Sequence, residues 1–132
     1  AEGDRKTPVG LFRGRLIRTS SFGEGQAVLL DYPQPEDAEL GLRERRIGHR
    51  DHDRIVDAAR SERFPPMNTP LGGWIEIHAS GDEAWIRTTG CVTLVTLEMI
   101  RLFDTIGGDT GGTRQVQVGI VACLAQSGAS GD

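Results

Sequence analysis

Cys91 directly follows Gly90 in the stretch Thr88-Thr89-Gly90-Cys91-Val92-Thr93-Leu94, just ahead of a helical pattern. A thiol attacks a carbonyl carbon as thiolate. A free cysteine ionises only around pH 8.5, so a nucleophilic one needs a base or positive surroundings. The chain has three histidines. His49 and His52 lie in a charged stretch and read as solvated surface. His78 ends an apolar strand, and Cys91 follows 13 residues later (91 − 78), a hairpin-sized excursion that can bring the two side chains together. Gly90 lets the backbone take a tight path and aim N–H groups at one spot, where they can hold an oxyanion. The same residues also fit a buried structural cysteine beside a core histidine, since free cysteines are commonly buried. Residue types and spacing leave both readings open. The spacing of His49 and His52 matches no zinc pattern, and no metal or cofactor is expected.

These residues need elements to position them. The stretch 4–18 opens with a charged turn and Pro8, then runs into Leu11, Phe12, Leu16 and Ile17 as a strand or bent hairpin arm. Residues 20–25 are turn-like. Residues 26–32 are short, apolar and closed by Pro33, the pattern of a buried strand. Residues 33–46 are polar and punctuated by proline, and should lie at the surface. Residues 50–64 read as a helix with a narrow stripe of Ile55, Val56 and Ala59, stopped by a loop over 65–73. Residues 74–79 alternate as a strand, with Trp74, Glu76 and His78 on one face and Ile75 and Ile77 on the other. Residues 80–83 make a turn and 84–88 another short strand. Thr96 caps a helix with Glu98 in its first turn. Leu97, Ile100, Phe103 and Ile106 form its stripe, and Gly107 and Gly108 end it. Val116, Val118 and Ile120 share one face of a last strand.

The 132 residues suit one domain, placed at 1–125, with 126–132 as a flexible tail. With 18 glycines, 5% aromatics and few long apolar runs, the chain reads as mainly β with two helices. A net charge of −4 argues against nucleic acid, which requires a clustered basic surface. No apolar stretch approaches the ~20 residues of a membrane span. The two cysteines, Cys91 and Cys123, make no disulfide scaffold, though one bridge between them stays open.

Four stretches then come in a telling order: Glu2 to Phe12 (EGDRKTPVGLF), Asp31 to Asp37 (DYPQPED), Thr69 to Ala79 (TPLGGWIEIHA) and Thr88 to Leu94 (TTGCVTL). Together they resemble the L,D-transpeptidase catalytic domain family (YkuD-like) of bacterial cell-wall enzymes, over roughly residues 2–122. The resemblance implies an L,D-transpeptidase-like β-sandwich with two helices, of which the family's first two strands are missing from this chain. It implies Cys91 as nucleophile, His78 as its base, and the Ala79 carbonyl as the group that orients the His78 ring. Backbone N–H groups at Thr89, Gly90 and Cys91 would form the oxyanion hole. Thr88, Arg87 and Gly73 would touch substrate.

Thr89 stands where many members have a second histidine, so the chain looks closer to the Thr-x-Gly-Cys branch, which includes proteins thought to cleave crosslinks. Thr93 and Thr96 stand where the family often has Arg and Asn. The implied activity is acyl transfer on peptidoglycan peptide stems in the bacterial envelope, periplasmic or secreted, with an amine on another stem or an envelope protein as acceptor. Carboxypeptidase or amidase action with water as acceptor, and a non-catalytic cell-wall binding module, are the alternatives.

Overall fold

The computed structural model describes residues 7–17, 25–79, 90–94, 96–106 and 115–121. In chain order the elements are β1 (Gly10–Ile17), β2 (Ala27–Leu30), α1 (Pro35–Arg43), α2 (His49–Arg60), β3 (Glu76–Ala79), β4 (Val92–Leu94), α3 (Thr96–Thr105) and β5 (Gln115–Ile120). The strands form one mixed sheet in the order β4-β3-β2-β1-β5, curled into a half-barrel. β1 pairs antiparallel with β2 and β5, and β2 antiparallel with β3, whereas β3 and β4 run parallel. The mainly β expectation holds. Among the described residues the strands belong to a single sheet, and three helices stand where two were expected. The expected strand at 84–88 and tail at 126–132 lie outside the described residues. No helix among the described residues is long and apolar enough to cross a membrane.

Alternation along the strands gives the sheet two faces. On the core face, Phe12, Val28, Leu30 and Ile75 pack with Met99 and Phe103 of α3, flanked by half-buried Ile77, Leu94, Val116 and Val118. All four residues of β2 are buried, as the continuous apolar run of a central strand requires. The second face holds Arg13, Arg15, Leu29, Glu76 and His78, by the register of β1, β2 and β3. The segment after α2 reaches this face. Arg15 stacks over the Phe64 ring at 4.5 Å, and the Arg13 guanidinium reaches the carbonyls of Glu62 and Arg63 at 3.4 Å.

Helix α1 occupies the stretch expected as polar surface. Its helix signals are all polar. Pro35 sits in the first turn, where its missing N–H is no loss. The Asp37 carboxylate accepts from the Gln34 backbone N–H at 2.8 Å. Glu36 and Asp37 meet the positive end of the helix and Arg43 its negative end. Its apolar stripe is too sparse to read in sequence: Ala38 and Gly41 are buried, with Leu42 half-buried. Ala38, Ile47, Ile55 and Leu71 form a second small core under α1 and α2.

Helix α2 runs over His49–Arg60 and buries Ile55 and Ala58, while Val56 and Ala59 are only half-buried. His52, expected to be merely solvated, bridges the two helices. Nδ1 lies 2.9 Å from Asp53 and Nε2 2.8 Å from Glu39. Carboxylates only accept, so both ring nitrogens donate, and these two bonds raise the His52 pKa.

Helix α3 corrects the expected stripe. Met99 and Phe103 are buried and Leu102 and Ile106 half-buried, but Leu97 and Ile100 are 58% and 49% exposed. Strict three-residue spacing winds off a helix face. At about 100° per residue, Leu97 and Ile106 point to opposite sides, whereas 99, 102, 103 and 106 stay on one. α3 begins at Thr96, the expected cap, whose side chain is outside the described residues. Phe103→Ala should therefore destabilise by about 3–5 kcal/mol. Leu97→Ala and Ile100→Ala should each stay within about 0.5 kcal/mol of the parent. Urea denaturation of the three variants checks both expectations.

Candidate active site

The parallel pairing of β3 with β4 sets the site. Ile77 lies opposite Val92, His78 opposite Thr93 and Ala79 opposite Leu94. Cys91 is two residues before Thr93, so by alternation it shares a face with His78 as its diagonal neighbour. The 13-residue interval between them was expected to be a hairpin. It is the crossover between two parallel strands, which needs about a dozen residues or more. The two residues share a face by register, although the strand direction differs.

His78 is buried, at 6% exposure. Its Nδ1 lies 2.9 Å from the Ala79 carbonyl oxygen. A carbonyl can only accept, so Nδ1 carries the hydrogen, and Nε2 is the nitrogen that accepts while the ring is neutral. This is the contact that the family resemblance implied for the Ala79 carbonyl.

Cys91 is a free thiol, 7% exposed. Its Sγ donates to the Trp74 carbonyl and accepts from the Glu76 backbone N–H, both at 3.5 Å. Burial pushes the thiol pKa up; the Glu76 N–H pulls it back, and the charge of Glu76 adds to the rise. The burial and raised pKa of Cys91 describe a thiol that keeps its proton at neutral pH, without, among the described residues, the positive surroundings that would make a standing thiolate. Such a thiol reacts only when its proton is removed as the bond to carbon forms.

Gly90 is buried, with φ of 120°. L residues rarely adopt that conformation, so the chain enters Cys91 by a path that a side chain would strain. Gly73 has a packing role: a Cβ there would meet the Met67 Cα and carbonyl oxygen at 2.7 Å. Thr89, Thr88 and Arg87 lie outside the described residues, as does Cys123. The described part of the expected oxyanion cradle is thus the Gly90–Cys91 pair.

Two residues with no assigned role belong to the site. Trp74 is half-exposed and holds φ of 55°, unusual for a bulky residue. Its N–H donates to Met67 Sδ at 3.3 Å while its carbonyl takes the thiol hydrogen. Backbone strain of this kind clusters where a site must be shaped. Glu76 is fully buried, with 0% exposure. The sequence signal was a carboxylate inside an apolar strand, on the same face as His78. Among the described residues, no group of three or more His, Cys, Asp or Glu side chains could hold a metal.

Iodoacetamide should alkylate Cys91 slowly at neutral pH and faster as pH climbs past the ordinary cysteine range. A fast plateau already reached at pH 7 would show a preformed thiolate. The linkage sign agrees. A raised folded-state pKa means the folded protein keeps the proton longer, so this contribution is full below the unfolded thiol value of about 8.5. It is lost as pH rises through the higher folded value, so the stability gap between the parent and Cys91→Ser should narrow there. Gly90→Ala should cost about 1–3 kcal/mol by strain and slow alkylation further, measured by denaturation and mass spectrometry.

No protein-family model, curated protein or solved structure matches the chain.

Proposed function

We propose that this chain is a cysteine-dependent acyltransferase of the L,D-transpeptidase type, acting on peptidoglycan peptide stems in the bacterial envelope. One observation carries the reading. Cys91 and His78 share a face of the sheet, and Ala79 fixes the His78 tautomer so that Nε2 is the accepting nitrogen. A thiol, an oriented imidazole and backbone donors at Gly90–Cys91 are what acyl transfer through a thioester needs. The ordered motifs of the sequence supply the substrate class.

In the first half-reaction Sγ bonds to the stem carbonyl beside D-alanine while its proton passes to His78 Nε2. The oxyanion faces the N–H groups near Gly90 and Cys91. The C–N bond then breaks, and D-alanine leaves as an amine carrying the proton returned by His78. In the second, an acceptor amine on another stem or an envelope protein attacks the thioester and gives its proton to His78. Sulfur departs as thiolate and is reprotonated by the imidazolium. Water in place of the amine gives hydrolysis by the same steps, the alternative that the resemblance to the Thr-x-Gly-Cys branch leaves open.

Intact-mass spectrometry after incubation with a tetrapeptide stem and, separately, a carbapenem tests the proposal. An acyl adduct should appear on Cys91 and be absent from Cys91→Ala. His78→Ala should slow its formation about 10²- to 10⁴-fold, the usual contribution of a general base. Added amine should divert the thioester to a new amide if transfer is the reaction. A parent protein that stays unmodified by both reagents would overturn the reading.

A further inference from the structure

The described aromatic side chains are used by the fold, with one exception. Phe12 and Phe103 are buried in the main core. The Tyr32 hydroxyl donates to the Leu71 carbonyl, and Phe64 lies under Arg15. Trp74 belongs to neither apolar core and is 48% exposed. Among the described residues its indole N–H meets no acceptor and its ring no cation.

The backbone that carries this side chain is nevertheless fixed. The Gly72 N–H donates to the Thr69 carbonyl at 2.9 Å, Gly73 packs against the Met67 backbone, and the Trp74 N–H donates to Met67 Sδ at 3.3 Å. Just beyond, the Ile75 carbonyl accepts from the Leu30 N–H at 2.9 Å. These contacts hold a bulky residue at φ of 55°, where glycine or asparagine would sit more easily. Locked supports of this kind keep a contact surface in one geometry.

That surface stands beside the sulfur. The Trp74 carbonyl takes the Cys91 thiol hydrogen at 3.5 Å. With a C=O bond of about 1.2 Å and a Cα–C bond of about 1.5 Å, the root of the indole side chain lies within about 6 Å of Sγ. Extending the β3–β4 register by one residue puts Cys91 level with Glu76, so Trp74 and His78 are two residues away in opposite directions along the chain. A substrate carbonyl cannot turn its oxygen toward the Trp74 carbonyl, because both oxygens only accept. Its oxyanion faces the N–H groups near Gly90 and Cys91. The leaving group takes its proton from His78 and lies on that side. The residue whose carbonyl is attacked is left with the Trp74 side.

We propose that Trp74 is a specificity-determining residue of this site, its indole forming the wall against which the side chain of the acyl residue packs. The inference rests on reading Cys91 and His78 as a nucleophile and its base. The donor class it names is an acyl residue with an extended apolar side chain. A flat apolar ring gains from covering methylene groups, and its electron-rich face disfavours a carboxylate.

The test uses the p-nitrophenyl esters of N-acetylglycine, N-acetylnorleucine and N-acetylglutamate, none of them a peptidoglycan fragment. Sγ bonds to the ester carbonyl carbon, the C–O bond breaks, p-nitrophenolate leaves, and the thiol proton passes through His78 to solvent. Each rate of Cys91 acylation, followed by intact-mass spectrometry, is divided by the rate of the same ester with N-acetylcysteine. On that scale norleucine should exceed glycine by at least about tenfold, the usual discrimination for methylenes in an apolar pocket, and glutamate should not exceed glycine. Trp74→Asn, a residue type that accepts a positive φ, should bring the norleucine-to-glycine ratio to within about twofold of unity, the methylene discrimination being lost with the wall. A disturbance of the thiol or its base changes all the rates alike and leaves that ratio in place. If Trp74→Asn does not fold, as judged by circular dichroism, Trp74→Gly, which also accepts that φ, replaces it. A parent ratio near unity, or a variant that keeps the parent's ratio, would overturn the proposal while Cys91 acylation itself stands. No adduct on Cys91 from any ester would overturn the acyltransferase reading and this inference with it.

Discussion

The parallel pairing of Glu76–Ala79 with Val92–Leu94 is the constraint on which the site depends. Parallel strands require the chain to leave one end of β3 and re-enter at the start of β4. That re-entry point is where Gly90 and Cys91 stand, level with Glu76. An antiparallel return would have put Cys91 at the far end of its strand relative to Glu76. Side-chain period does the rest. A one-residue slip in this register would send Cys91 to the α3 face, among the apolar side chains of the main core, and leave His78 without it. The register is secured from the core side. Ile75 and Ile77 must face Val28, Leu30 and Phe103, and the Leu30 N–H donates to the Ile75 carbonyl at 2.9 Å.

The opposite face is held by polar interactions. Asp31, 7% exposed, accepts from the Arg13 backbone N–H at 2.8 Å, from Arg13 Nε at 3.0 Å and from Gln34 Nε2 at 3.2 Å. One carboxylate thus joins β1, the end of β2 and the start of α1. Buried pairs of this sort owe their value to complete satisfaction, since removing one partner leaves the other stranded. The Tyr32 hydroxyl donates to the Leu71 carbonyl at 3.2 Å and ties the approach to Trp74 back onto the sheet. The helical pair therefore seats the 61–74 connection, and that connection delivers the Trp74 carbonyl to the thiol.

What could be read in the sequence follows from how local each signal is. The alternation of Ile75, Glu76, Ile77 and His78, the apolar run of β2 and the spacing of Val116, Val118 and Ile120 depend on side-chain period alone, and each matches the structure. Helix α1 was not legible because its capping and charge signals outweigh its apolar ones. The stripe of α3 was misplaced because Leu97 and Ile100 look apolar enough to bury, while Met99 sits between them on the true face. Cys91 and His78 were picked out by residue type and spacing. Glu76 and Trp74 were not, because their importance arises from a pairing across the sheet and from a single φ value, neither of which has a sequence period.

The buried state of Cys91 bears on what kind of nucleophile this site can hold. An exposed thiolate gains its reactivity from a permanent ion pair, and every passing electrophile shares in it. A thiol whose Sγ donates to the Trp74 carbonyl and accepts from the Glu76 N–H is already oriented, and it must give up its proton to attack. Intrinsic nucleophilicity rises with thiol pKa, with a Brønsted slope of about 0.4–0.5. A raised pKa therefore costs less in rate than the loss of thiolate suggests, provided a base takes the proton during attack. On the proposed acyl-transfer reading, the fixed His78 tautomer meets that condition, and the chemistry turns on proton transfer together with bond formation more than on the resting acidity of the sulfur.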